Sequence, residues 1–125
     1  VVPEELLVEA LHRGAHGGVN GGSNMFPRLY VNLYRSVVAG QQAEAKRLHD
    51  LVMRISTSIY AVGEDPSRII KGIKCALSCL GVCEDYVAQP FERFADAQRR
   101  QIQQHLDTLL PVLAEQAEVE IPSRF

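Results

Sequence analysis

Hydrophobic positions recur at helical spacing along most of the chain, and one glycine-rich stretch interrupts them. Phe26, Leu29, Tyr30, Leu33, Tyr34, Val37 and Val38 follow the i, i+3, i+4, i+7, i+8 pattern of an amphipathic helix that ends at Gly40. Leu48, Leu51, Val52, Ile55 and Ile59 mark one face of a second helix, over 41–61, closed by Gly63. Asp65-Pro66 predicts a cap with proline at the first position of a third, whose stripe is Ile69, Ile70, Ile73, Ala76, Leu77 and Leu80 and which Gly81 ends. A last helix starts at Asp96 with the stripe Ile102, Leu106, Leu109, Leu110 and Leu113, and Pro111, lacking an N–H, is expected to kink or end it. Upstream of all these, Pro3-Glu4-Glu5 favours a first helical turn, with carboxylates at the positive end of the helix dipole. Leu6, Leu7, Ala10 and Leu11 continue that helix, and Gly14 stops it. The segment 82–94, with Gln89-Pro90-Phe91, is expected to be an extended crossing, and the aperiodic residues 118–125 a loose tail.

The interrupting stretch is Gly14-Ala15-His16-Gly17-Gly18-Val19-Asn20-Gly21-Gly22-Ser23-Asn24-Met25-Phe26-Pro27. Small residues around Val19 predict one extended strand, 15–20, buried on both faces by closely packed helices. Gly21-Gly22-Ser23-Asn24 then predicts the turn out of the strand, with a Ser or Asn oxygen capping the next helix. A lone strand needs partners for its backbone donors and acceptors, and no other segment of this chain supplies them. An edge of that kind is a template for pairing with another copy, so self-association through 15–20 or disorder there is expected.

At 125 residues the chain has the size of one domain, and 46% hydrophobic with 22% charged residues are globular values. A net charge of −2 gives no basic footprint for nucleic acid and no polybasic surface for anionic lipid. No apolar run approaches the roughly 18 residues that span a bilayer, and no signal peptide is recognisable, so a soluble, cytoplasmic protein is expected. The chain opens Val1-Val2-Pro3 without an initiator Met, as a cut inside a longer polypeptide or processing would leave it.

Few residues suggest chemistry by themselves. Cys75, Cys79 and Cys83 are spaced i, i+4, i+8, but no His or acidic residue stands at matching spacing and Gly81 interrupts the helix. They are read as small packing residues rather than metal ligands, and no metal or cofactor is expected. His12, His16, His49 and His105 are scattered, with no nucleophile motif near any of them. The glycine turn could cradle a phosphate at a helix N-terminus, yet it lacks the lysine of a P-loop, and close backbone packing explains the glycines equally well.

Pro3-Glu4-Glu5-Leu6-Leu7, Gly14-Ala15-His16-Gly17-Gly18-Val19-Asn20-Gly21, Asn24, Pro27, and a helix ending at Ala39-Gly40 with Ala43, Ala45 and Leu48 beyond it together resemble the C-terminal part of the dihydrodipicolinate synthase / N-acetylneuraminate lyase family. The resemblance runs from about residue 2 to 111 and implies (β/α)8-barrel lyases and aldolases that hold pyruvate or a related 2-oxo acid as a Schiff base. It implies a mostly α chain made of the last βα portion of a TIM barrel plus a C-terminal helical subdomain. Residues 1–40 would be barrel helix 7, strand 8 and helix 8, residues 41–117 the helical extension, and 118–125 the tail. The Schiff-base lysine and catalytic tyrosine of the family would lie upstream, leaving no catalytic residue in this chain. Val19, Asn20 and Gly21 would face the substrate, because barrel active sites sit at the C-terminal ends of strands. Glu4 and Glu5 match positions that hold the polyol tail in sialic-acid-cleaving members, or they simply open a helix. Val2 stands where members often have glycine, and Gly21 replaces a hydroxyl residue of the sialic-acid enzymes, which argues against that substrate. A homo-oligomer and a small 2-oxo-acid substrate are the partners the resemblance implies.

Two other readings fit the same residues. One is a non-catalytic helical interaction module whose glycine strand pairs with a partner, and the other a phosphate-binding module at Gly21–Asn24. The open reading frame upstream of Val1 separates the module from the barrel, and a melting shift with phosphate tests the last.

Overall fold

The computed structural model describes residues 2–117, so the expectation for the 118–125 tail lies outside the described residues. A 3-10 turn at Glu4–Leu6 leads into α1 (Leu7–His12), and a second 3-10 turn at Gly21–Asn24 precedes α2 (Pro27–Val38). Then come α3 (Gln42–Ser58), which tightens into a 3-10 turn at Ile59–Ala61, α4 (Arg68–Cys79) and α5 (Asp96–Gln116). α2 lies on α3, and α4 fills the angle between the 59–61 turn and α5. The predicted leucine and isoleucine stripes form one core, with Leu29, Leu33, Val52, Ile55, Ile59, Ile102, Leu106 and Leu113 all fully buried.

Glycine stops three helices in the same way. At Gly14, with φ +95, the N–H bonds back to Leu11 and that of Ala15 reaches Ala10, the paired bonds of a Schellman motif. Gly40 and Gly81 repeat the pattern after α2 and α4.

The predicted strand is not formed. Residues 15–20 adopt no regular structure, and none of the described residues is in a strand. The expected burial on both faces fails as well, since residues 12–19 are exposed, Val19 at 81%. The cause is the missing ladder: an extended segment with no neighbouring strand leaves its polar groups to water. Asn20 alone of the segment is buried, and its backbone is extended.

Four smaller expectations also change. Ser23 and Asn24 do not cap α2; their side chains donate to the carbonyls of Asn20 and Gly21, at 2.6 and 3.0 Å, which winds the turn on itself. Pro27 instead opens α2 at its first turn, where a missing N–H costs nothing. Asp65-Pro66 falls two residues short of α4, and the Asp65 carboxylate accepts the Ser67 N–H at 2.9 Å. Ile69 and Ile70 are exposed, because the buried face of α4 is instead Gly72, Cys75, Ala76 and Leu77, with Gly72 set against Ile59 of the 59–61 turn. Pro111 does not end α5, which runs on to Gln116 with Leu113 in the core.

The crossing from 82 to 94, expected to be extended, is irregular, with bends at 82–83, a turn at 89–90 and a cis peptide at Gln89–Pro90. It is fastened by Asp85, a buried carboxylate that accepts from Arg93 at 3.3 Å and from Arg99 of α5 at 3.4 Å.

The contact of α4 with the 59–61 turn depends on having no side chain at Gly72. A Cβ there would stand 2.9 Å from the Ile59 carbonyl oxygen, which is backbone and cannot swing away. Gly72→Ala is therefore expected to cost about 1–3 kcal/mol of stability, read as a lower urea midpoint. Gly17→Ala, whose Cβ would meet nothing within 4 Å, is expected to stay within about 0.5 kcal/mol of the unchanged chain.

Candidate functional site

The proline and two acidic residues at 3–5 begin a 3-10 turn, and that geometry sends Glu4 inward and leaves Glu5 at the side. Glu4 is only 6% exposed. Its Oε2 accepts the Gly22 N–H at 3.0 Å, and its Oε1 accepts the hydroxyls of Tyr30 at 2.6 Å and Tyr60 at 2.7 Å. A buried carboxylate is tolerated only when such donors replace its water, and three do so here. Glu5 is half-buried and accepts the Ser56 hydroxyl from α3.

Around this carboxylate the glycines have a steric reason. A Cβ on Gly22 would fall 2.0 Å from the Tyr30 hydroxyl oxygen, and one on Gly21 would fall 2.8 Å from Ile73 Cδ1. Gly18 is similarly pressed against Leu7 and Asn20. The close-packing reading of these glycines holds, and the phosphate reading meets an obstacle. The anion that takes an N–H of this turn is the chain's own Glu4 carboxylate, and a second anion beside it would be repelled.

Of the residues singled out in the sequence, the fold gathers Glu4, Gly21 and buried Asn20 at one place, with Glu5 alongside. Val19 stands apart in solvent. Sequence reasoning missed Gly22, Tyr30 and Tyr60 as members of this cluster. The signal was a tyrosine inside a core stripe, since a buried phenol needs a partner for its hydroxyl. An acidic residue just ahead of an apolar run was a candidate for that partner.

The remaining candidates lie elsewhere. Cys75 is buried, Cys79 half-buried and Cys83 exposed, and burial, then the neighbouring Cys79, pushes the Cys75 thiol up to about 12. Among the described residues no three His, Cys, Asp or Glu side chains gather as a metal site. His12 and His16 are exposed, while His49 and His105 are half-buried on α3 and α5. An apolar groove of about 620 Å³ between α1, α2 and α3 is lined by Val8, His12, Val37, Ala45 and His49, away from Glu4.

Burial, followed by the adjacent Glu4 charge and hydrogen bond, raises both tyrosine hydroxyls well above the ordinary phenol value. Unfolded, the same phenols lose their protons near pH ~10, so the folded state holds more protons above that pH. Stability from this cluster is thus fully present below pH ~10 and falls as pH rises beyond it. Alkaline unfolding followed by circular dichroism is expected to begin there, with a shallower pH slope in Tyr30→Phe. Glu4→Ala, which orphans three buried donors, is expected to cost about 2–4 kcal/mol in urea unfolding at neutral pH.

The sequence model of the dihydrodipicolinate synthetase family matches residues 3–109. A solved dihydrodipicolinate synthase from Bacteroides thetaiotaomicron is 51% identical, with a TM-score of 0.82 over 85% of this chain and 36% of that one. YagE, an E. coli K12 prophage protein of the dihydrodipicolinic acid synthase family solved with pyruvate, is 23% identical. It superposes with a TM-score of 0.72 over 85% of this chain and 35% of its own, a likeness of fold. No curated protein matches the chain. The chain spans about a third of the length of both solved relatives. With the family model matching most of its length and half the aligned residues identical to those of a solved synthase, this chain belongs to the dihydrodipicolinate synthetase family.

Proposed function

We propose that this chain is the C-terminal part of a Schiff-base-forming lyase or aldolase acting on pyruvate or a related 2-oxo acid. Residues 1–40 would close a (β/α)8 barrel and residues 41–117 would form a helical extension. The observation that carries this reading is the two-sidedness of α2. One face, Leu29, Leu33 and Ser36, is buried against the rest of the chain. The opposite face carries Val31, Tyr34 and Val38 at i, i+3, i+7, all exposed, Val38 at 66%. A helix apolar on both sides is one made to be packed on both sides, and barrel strands would cover the second. The same strands would supply the ladder that 15–20 lacks.

In a reaction of this kind a lysine amine condenses with the 2-oxo carbon and releases water. When a C–C bond breaks beside the iminium its electron pair passes to the iminium to give an enamine, and when one forms the enamine, made by loss of the adjacent proton, donates that pair. The lysine, and the tyrosine that moves the proton, would lie upstream of this chain. Val19, Asn20 and Gly21 would form one wall of the mouth, with Glu4 and Glu5 behind and beside them. Loss of water there would strengthen every polar contact with the substrate carboxylate. An assembled homo-oligomer in the cytoplasm is part of the proposal. Among the described residues no helix is long and apolar enough to cross a membrane.

Treatment of the full-length polypeptide with pyruvate and borohydride is expected to leave a reduced adduct on one lysine upstream of Val1. An adduct on Lys46, Lys71 or Lys74, or none at all, would defeat the proposal. Tyr34→Ser gives an independent check by urea unfolding. It is expected to shift the stability of this chain by less than about 0.5 kcal/mol and that of the full-length polypeptide by about 2–4 kcal/mol.

A further inference from the structure

The Glu4 carboxylate has little left to offer a ligand. A carboxylate accepts along about four lone-pair directions, and three are taken by Gly22, Tyr30 and Tyr60. The group is also buried and walled by side chains from α2 and the 59–61 turn. Yet it grips the backbone next to two residues assigned to the mouth of the site. Gly22 follows Gly21 directly, and Ser23 closes the same turn by donating its hydroxyl and its N–H to the Asn20 carbonyl, at 2.6 and 3.2 Å. A shift of Gly22 is therefore a shift of Asn20 and Gly21.

We infer that Glu4 is a positioning residue: through the Gly22 N–H it fixes the Asn20–Gly21 backbone, while Tyr30 and Tyr60 withhold its other oxygen from substrate hydroxyls. The inference rests on the lyase reading above. It reassigns Glu4 from a substrate contact to a support, and leaves Glu5 as the acidic side chain near the surface. The tyrosines have a second effect. Burial and the adjacent Glu4 hold both hydroxyls protonated above the ordinary phenol range, so they remain donors to Oε1 there.

Glu4→Gln separates support from mere stability. The amide keeps the shape but has one acceptor oxygen, so turning it toward the hydroxyls sets an NH2 against the Gly22 N–H. Tyr60→Phe removes one donor and leaves the Gly22 bond in place. Both variants are expected to lower the melting temperature. Only Glu4→Gln is expected to speed hydrogen exchange at the Gly22 amide, by about tenfold or more, measured by NMR on this chain. In the full-length polypeptide, only Glu4→Gln is expected to raise KM for the 2-oxo acid, by about tenfold, with kcat little changed.

Equal Gly22 exchange in the unchanged chain and in Glu4→Gln overturns the tether. A Glu4→Gln variant that loses affinity only for a polyhydroxylated substrate, with the Gly22 amide unmoved, makes Glu4 a substrate contact and overturns the assignment. A protected Gly22 amide in a full-length polypeptide that forms no borohydride-trapped pyruvate adduct overturns the lyase reading, and with it the positioning role, leaving a structural tie alone.

Discussion

A single buried carboxylate organises the N-terminal half of this chain. Glu4 is taken out of water and compensated by three donors from three different places, the Gly21–Asn24 turn, α2 and the 59–61 turn. Because a buried charge must be fully paired to persist, none of those three elements can drift without exposing the cost to the other two. The glycines follow from the same constraint. Gly22 has to bring its backbone N–H to the carboxylate while the Tyr30 phenol and the carboxylate itself crowd the space a side chain would need.

The helices were largely legible in the sequence because their signal is local. Stripes such as Leu48, Leu51, Val52, Ile55 and Ile102, Leu106, Leu113 hold their own spacing, and burial then follows. What failed was whatever depended on a partner. Ile69 and Ile70 are as apolar as a core residue, but the buried face of α4 carries Gly72, Cys75, Ala76 and Leu77, and its approach to Ile59 is made at Gly72, where no side chain fits. Pro111 is expected to kink or end α5, and it does not end it: with Leu109, Leu110 and Leu113 buried in the core, the helix runs on to Gln116. The strand at 15–20 failed most completely, since a strand is defined by what pairs with it.

The cluster at Glu4 was half legible for the same reason. Glu4, Asn20 and Gly21 were picked out by resemblance to a family pattern, whereas Tyr30 was placed in a helical stripe and Tyr60 drew no notice. Hydrogen bonds spanning 26 and 56 residues leave no periodic trace. The comparison with the solved synthase and the two-faced α2 then point the same way from independent grounds, one from identity of residues and one from apolar surface left uncovered.

The span of the Tyr60 bond bears on the order in which the chain can acquire its shape. α2 and α3 are neighbours in sequence and can close on each other early, with a short loop between them. Glu4 has to wait, because its second phenol arrives only after the whole of α3 has been laid down, and closing so long a loop is entropically slow. The first residues of this chain are thus among the last to settle, and the helices behind them form the template on which they do.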